Sequence, residues 1–151
     1  MVYLVSGIIG SGKSTYIEHH AAPFDVIISR DKIRYSLLQD GEDYFAHEKE
    51  VIKKFKKYIR LFDENTEWGN IWIDATNITR KTRKRLLNCI PHNDVTCVYF
   101  KPDIEKSIEH NNKRTGREKA PEREIIRQAM MYEEPSFEEG FKYIVEVRNE
   151  R

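Results

Sequence analysis

The chain has 151 residues, 39% of them hydrophobic and 34% charged, and carries a formal net charge of +1. That length suits one ordinary domain with a continuous core and excludes two full catalytic modules, so a single domain over residues 1–151 is expected. The composition excludes a disordered chain, and a near-zero charge means that a nucleic-acid partner would have to be held by a local basic patch.

Val2 to Ser6 reads as a short buried strand of branched and aromatic residues, and after a run of glycines Lys13 to His20 takes helical spacing. Asp25 to Ser29 (DVIIS) is a second apolar strand, which puts Asp31 at a strand's carboxyl end, and helical spacing resumes from Lys32. Tyr44, Phe45, Val51, Ile52, Phe55, Ile59 and Phe62 recur at three- and four-residue steps and predict one long amphipathic helix from Glu42 to Phe62. Ile71 to Ile73 is a third strand ending at Asp74, Thr79 to Leu87 a basic helix, and Val95 to Phe100 a fourth strand. Ile104 to Arg114 is a further helix, TGREKAP a break, Glu122 to Tyr132 a helix opened by Pro121, and Tyr143 to Val147 a last strand. This alternation predicts an α/β fold, a parallel sheet of about five strands with helices on both faces.

Cys89 and Cys97 lie in apolar settings without C-x-x-C spacing and are expected to be reduced core thiols. No stretch approaches ~20 apolar residues and no small-residue cleavage site follows a hydrophobic segment, so a cytoplasmic protein without membrane contact is expected. The five histidines show no metal-site spacing, and no structural metal is expected.

Gly7-Ile8-Ile9-Gly10-Ser11-Gly12-Lys13-Ser14 fits the Walker A pattern and lies between a predicted strand and a helix, the context the pattern requires. Glycines let backbone N–H groups face phosphate oxygens, and the helix N-terminus adds partial positive charge. Lys13 would reach the β- and γ-phosphates, Ser14 would ligate Mg²⁺, and Gly7, Gly10, Ser11, Gly12 and Thr15 complete the nucleotide cradle. The motif serves kinases and ATP-driven switches alike, so the acceptor side must separate them.

In an open α/β sheet ligands gather beyond the carboxyl ends of the strands, where Asp31 and Asp74 are both predicted to project. Phosphoryl transfer to an alcohol needs a group that accepts or orients the hydroxyl proton, and Asp31 is the candidate base. Its bland alternative is a helix N-cap. Arg34, three residues on, shares the helical face of Asp31 and could clamp an anionic acceptor, where otherwise it would be an ordinary solvated arginine. Asp74 ends its strand as a Walker B acid does, and either a Mg²⁺-bound water or the acceptor could be its target. Thr76 and Asn77 beside it suit an acceptor site or a structural turn. Lys113, Arg114, Arg117 and Lys119 cluster at the break, which reads as a lid at about 114–121 able to bring an arginine to the phosphates, or as a solvated basic loop. The cluster Lys53, Lys54, Lys56 and Lys57 reads as the outer face of the long helix.

The blocks GIIGSGKST, SRDKIR, IDATN, HNNKR and YEEPSFEEGFKYIVEV, in that order over nearly the whole chain, resemble the kinase domain of the polynucleotide 5′-hydroxyl kinases, of both phage and mammalian end-healing type. The resemblance implies a P-loop kinase fold in which Lys13 and Ser14 bind ATP and Mg²⁺, Asp31 is the general base for the 5′-hydroxyl, and Arg34 grips the neighbouring phosphate. It further implies that Asp74, Thr76 and Asn77 build the acceptor site and that Arg114 contacts the ATP phosphates. The spacing D-A-T-N looks like the mammalian and bacterial forms rather than the phage form, in which the acid directly precedes the threonine. His110 stands where the phage lid carries a further arginine, with Arg117 as its substitute. The D-x-D-x-T sequence of the phosphatase domain of many relatives is absent from these 151 residues.

The expected activity is therefore ATP- and Mg²⁺-dependent phosphorylation of RNA or DNA 5′-hydroxyl ends, a healing step with a nucleic-acid ligase as partner. A small-molecule or nucleotide-sugar kinase of the same fold is the nearest alternative. A non-catalytic nucleotide switch is the alternative of another class.

Overall fold

Apolar runs whose side chains point alternately to both faces need cover on both, and the chain supplies it with helices packed against either side of one sheet. The computed structural model describes residues 1–65, 67 and 69–148. In chain order it contains β1 (Val2–Ser6), α1 (Lys13–His20), β2 (Val26–Ser29), α2 (Arg30–Leu37), α3 (Glu48–Asp63), β3 (Ile71–Asp74), α4 (Arg80–Leu87), β4 (Val95–Phe100), α5 (Ile104–Asn112), α6 (Glu122–Met131) and β5 (Tyr143–Val147). Two short 3-10 turns lie at Gly116–Glu118 and Phe137–Glu139.

The sheet runs β2-β3-β1-β4-β5 with every neighbouring pair parallel, as the alternation of elements predicts. Leu4, Ile28, Ile73 and Cys97 fall on one face with Phe55 and Ile59 of α3 and Leu86 of α4. Val5, Trp72, Val98 and Phe100 fall on the other with Ile17 of α1. Leu4 and Ile73 are in register and fully buried, so trimming either to alanine should cost ~2–5 kcal/mol. Because β1 lies between β3 and β4, the carboxyl ends of β1, β3 and β2 sit side by side, with Val5, Asp74 and Ser29 in register.

Three boundaries differ from expectation by two residues or more, each through a side chain that bonds the backbone. The helix after β2 starts at Arg30, before Lys32, because Ser29 Oγ accepts from the Lys32 N–H at 3.2 Å. Ser29 is therefore the N-cap and Asp31 lies within the first helical turn. The long helix starts at Glu48 rather than Glu42. Gly41 at φ 83° and the turn bonds of Glu42 and Asp43 carry the chain around a bend there, so Tyr44 and Phe45 leave the helix. The helix over Ile104 ends at Asn112 instead of Arg114. The amide of Asn111 closes the segment that follows: its Nδ2 donates to the Ala120 carbonyl at 2.8 Å and its Oδ1 accepts from the Ala120 N–H at 3.0 Å.

Both cysteines are buried and unpaired with each other, and burial pushes the Cys97 thiol up to about 12. No helix among the described residues is long and apolar enough to cross a membrane.

Candidate active site

The loop between β1 and α1 is shaped by neighbours from distant parts of the chain. Gly10 and Gly12 have φ of 77° and 98°, a region open to glycine at little cost. A Cβ on Gly10 would stand 2.5 Å from the Ser107 carbonyl oxygen, so α5 packs directly on the loop. The Gly10 carbonyl accepts from His110 Nδ1 at 2.9 Å, and the Ile9 N–H donates to the buried Gln128 Oε1 at 2.9 Å. From the turn after β3, the Thr76 carbonyl accepts from the Gly7 N–H at 2.8 Å.

Lys13 is buried, and its Nζ donates to the Ile8 carbonyl at 2.9 Å. Burial lowers its pKa, Asp74 and Asp31 oppose the fall, and Arg114 adds to it. Ser14 Oγ donates to Asp74 Oδ2 at 3.0 Å. Burial raises the Asp74 carboxyl against the attraction of Lys13. A hydroxyl and a buried carboxylate converging beside the phosphate cradle are the hard oxygen donors that Mg²⁺ takes, so the residues fit that ion. Asp74 touches the Walker serine and lines neither of the two cavities described next.

Two cavities meet at one side chain. The first, about 240 Å³, is bounded by Gly10, Gly12, Lys13, Ser14 and Thr15 of the loop and by His110, Lys113 and Arg114 at the end of α5. The second, about 190 Å³, lies beyond α2 and includes Arg34, Tyr44, Phe45, Thr76 and Thr79, with Gln128 and Met131 from α6. Asp31 lines both, and among the described residues no other does.

Arg34 stands at the second cavity in a box of anions and rings. Its Nη1 donates to Asp31 Oδ1 at 2.5 Å, and its Nε and Nη2 donate to Glu48 at 3.1 and 2.7 Å. The guanidinium carbon lies 4.8 Å from the Tyr44 ring centre and 5.4 Å from that of Phe45, within cation–π range. Arg30 also bonds Glu48. Burial alone would raise the Glu48 carboxyl, but the bonds from Arg34 and Arg30 overcome it and hold it below the usual value. Burial likewise works to lower the Arg34 pKa, yet Glu48, Tyr44 and Asp31 drive it up.

The residues singled out in the sequence are thus largely gathered at one end of the sheet: Gly10, Gly12, Lys13, Ser14 and Thr15 of the Walker loop, with Arg114, Asp31, Arg34 and Thr76, line the paired cavities, whereas Gly7 and Ser11 line neither. Asn77 is turned inward instead. It adopts φ 46°, its Nδ2 donates to the Val5 carbonyl at 2.8 Å, and its own carbonyl accepts from Ser6 and Arg83. The Arg117 side chain lies outside the described part of the structure. Sequence reasoning missed Glu48, Tyr44, Phe45 and Gln128. The first three sat inside a helical pattern, and nothing local marks a glutamine whose partner is 119 residues away.

A family model described as an AAA domain matches residues 2–135. A comparison with curated protein sequences gave no match. Among solved structures the chain is similar to a gluconokinase from Sinorhizobium meliloti 1021, with a TM-score of 0.62 and 19% identity over 97% of this chain and 81% of that one. It is also similar to a chain of the Pnkp1/Rnl/Hen1 RNA repair complex, with a TM-score of 0.71 and 22% identity over 86% of this chain and 43% of that one. Kti12 from Chaetomium thermophilum, in complex with ADP-AlF3, gives a TM-score of 0.63 and 14% identity over 97% and 88%. At such identities the likeness shows the fold, that of the P-loop kinases, and nothing finer.

Proposed function

The chain belongs to the AAA domain family, and from that premise we propose that it is an ATP-dependent kinase that transfers the γ-phosphate to a 5′-hydroxyl end of RNA or DNA. The observation that carries the reading is Asp31, which alone among the described residues lines both the phosphate-loop cavity and the cavity beyond it. A base at that boundary can bond an acceptor hydroxyl on one side while a γ-phosphate lies on the other.

In this reading the Walker loop holds the nucleotide, with Lys13 released from the Ile8 carbonyl to the phosphates and Arg114 facing them from α5. Ser14 and Asp74 would hold Mg²⁺, which when bound offsets phosphate charge during transfer. Asp31 accepts the proton of the acceptor hydroxyl as its oxygen bonds the γ-phosphorus, and ADP leaves in line. Arg34 meets the phosphate next to the hydroxyl, and Tyr44, Phe45 and Met131 offer apolar wall to the terminal nucleoside. The product, a 5′-phosphate end, is what a nucleic-acid ligase consumes, and the similarity to a chain of an RNA repair complex supports that pathway.

One observation favours a second reading. Arg34 is already matched by Asp31 and Glu48, so the cavity suits a neutral alcohol better than an unpaired arginine would. Transfer of label from γ-labelled ATP with Mg²⁺ to 5′-hydroxyl RNA and DNA oligonucleotides, for wild type and Asp31→Asn, separates the cases. Labelled oligonucleotide that vanishes in the variant is expected. ATP binding with no label on either polymer would refute the polynucleotide reading, and transfer that survives Asp31→Asn would remove the base assignment.

A further inference from the structure

We propose that the groove between α3 and α4 holds the acceptor strand's backbone beyond its first phosphate, an inference that rests on the polynucleotide reading above. The groove is a cavity of about 150 Å³ in which Arg30, Lys56 and Arg85 stand over an apolar floor that includes Ile52 and Leu86. It adjoins the acceptor cavity, because Arg30 and Thr82 line both.

The charge of this groove is one-sided. On other parts of the surface several cations stand beside acids: Lys54 pairs with Glu50, Lys101 with Glu134 and Glu146, and Arg127 with Glu124. Among the described residues the lining of the groove contains three cations and no carboxylate. Among the described residues Lys56 and Arg85 have no ion-pair partner, and Arg30 must share the Glu48 carboxylate with Arg34. The Arg30 Nε is buried without a hydrogen-bond partner, a deficit that an anionic oxygen drawn to that edge would relieve.

Cations in a concavity with an apolar floor match the sugar–phosphate backbone of a single strand, whose phosphates seek charge and whose sugars tolerate apolar contact. The path is continuous: the 5′-hydroxyl at Asp31, the first phosphate at Arg34, and the next along Arg30 toward Lys56 and Arg85. A solvated basic face would instead spread its cations over a convex surface with acids among them.

Binding of 3′-fluorescein-labelled single-stranded RNA and DNA oligonucleotides, followed by anisotropy across a salt series, tests this directly. Lys56→Ala/Arg85→Ala is compared with Lys81→Ala/Lys84→Ala, which removes two exposed cations from α4 outside the groove. The groove variant should bind at least roughly fivefold more weakly, with a salt slope shallower by about 1.4, from about 0.7 per single-strand phosphate contact. The control should change by less than about twofold, and Lys56→Arg/Arg85→Lys should restore the slope. Phosphorylation of a nucleoside 3′-monophosphate, too short to enter the groove, should be unaltered in the groove variant.

Equal losses in the two alanine pairs, an unchanged slope in the groove variant, or no oligonucleotide binding by wild type would overturn the proposal. The two readings fail separately. Wild type that binds but phosphorylates no oligonucleotide ends the polynucleotide-kinase reading, while the binding series still decides the groove.

Discussion

Two buried arginines show how differently the same charge is used in this fold. Arg83, on the inner face of α4, is fully buried, gives two bonds to Glu139 at 2.7 and 3.2 Å and one to the Asn77 carbonyl at 3.0 Å, and lines neither of the paired cavities. Arg34 is nearly as buried and also bonds carboxylates, yet its partners Asp31 and Glu48 are both partly exposed and it faces a cavity. Arg83 ties α4 to the turn before β5, with Glu139 held in turn by the capping box of Ser136. Burial of a charge therefore does not by itself mark a site. An arginine whose partners stand beside open space can exchange them for a ligand, and one sealed among its partners cannot.

The sharpest way to break this comparison is at Asp31, the partner with most open space. Asp31→Asn keeps the size and removes the proposed base, and should lower phosphoryl transfer by roughly 10²–10⁴-fold with ATP affinity retained. Single-turnover transfer and nucleotide titration read the two quantities apart, and activity within a few-fold of wild type would place Asp31 with the structural side chains.

Arg83→Met should have the opposite profile. It leaves Glu139 buried without its cation, so a loss of about 3–5 kcal/mol in chemical denaturation is expected, with activity per folded molecule kept. If the variant is as stable as wild type but inactive, the contrast between the two arginines is wrong.

Glu48→Gln tests the site side of the contrast by weakening what holds Arg34, at a cost of about 2–3 kcal/mol. The sign with pH follows from its lowered pKa. Stability from ionised Glu48 is full above the usual value near 4.5 and is lost as pH falls through the lower folded-state value. The stability difference between wild type and variant should therefore shrink below about pH 4.5, and a difference constant down to pH 3 would contradict it. Asp74, raised by burial, shifts the opposite way in both proteins and cancels in that difference.

The smallest effect expected is at Thr79, which caps the helix that carries Arg83 on one side and Thr82 on the other. Its Oγ1 accepts from the Thr82 N–H at 3.2 Å, and Thr79→Ala should cost ~1 kcal/mol by thermal unfolding. It serves as the reference against which the two arginine sites are read.

Much of this arrangement is legible from neighbouring letters. The Walker loop is contiguous, so its glycines, Lys13 and Ser14 declare themselves, and apolar runs alternating with helical spacing specify five strands and their cover. Asp31 and Asp74 were legible as candidates because they follow strands, and ligand sites of parallel sheets gather at strand ends. Where a turn competes with periodicity the letters mislead: Tyr44 and Phe45 fit the spacing of α3, yet Gly41 and Asp43 bend the chain and deliver both rings to Arg34.

The letters alone carry the fold class, the Walker pattern and the residues able to do acid and base chemistry, since each depends on local spacing or on residue type. Only the tertiary structure decided which of these share a space. It set Asp74 against Ser14, turned Asn77 inward to Arg83, brought Glu48 across to Arg34 and Gln128 to Ile9, and placed Asp31 at the junction of two cavities. Such pairings join residues from separate elements, and they exist only once the sheet has ordered its strands and the helices have chosen their faces.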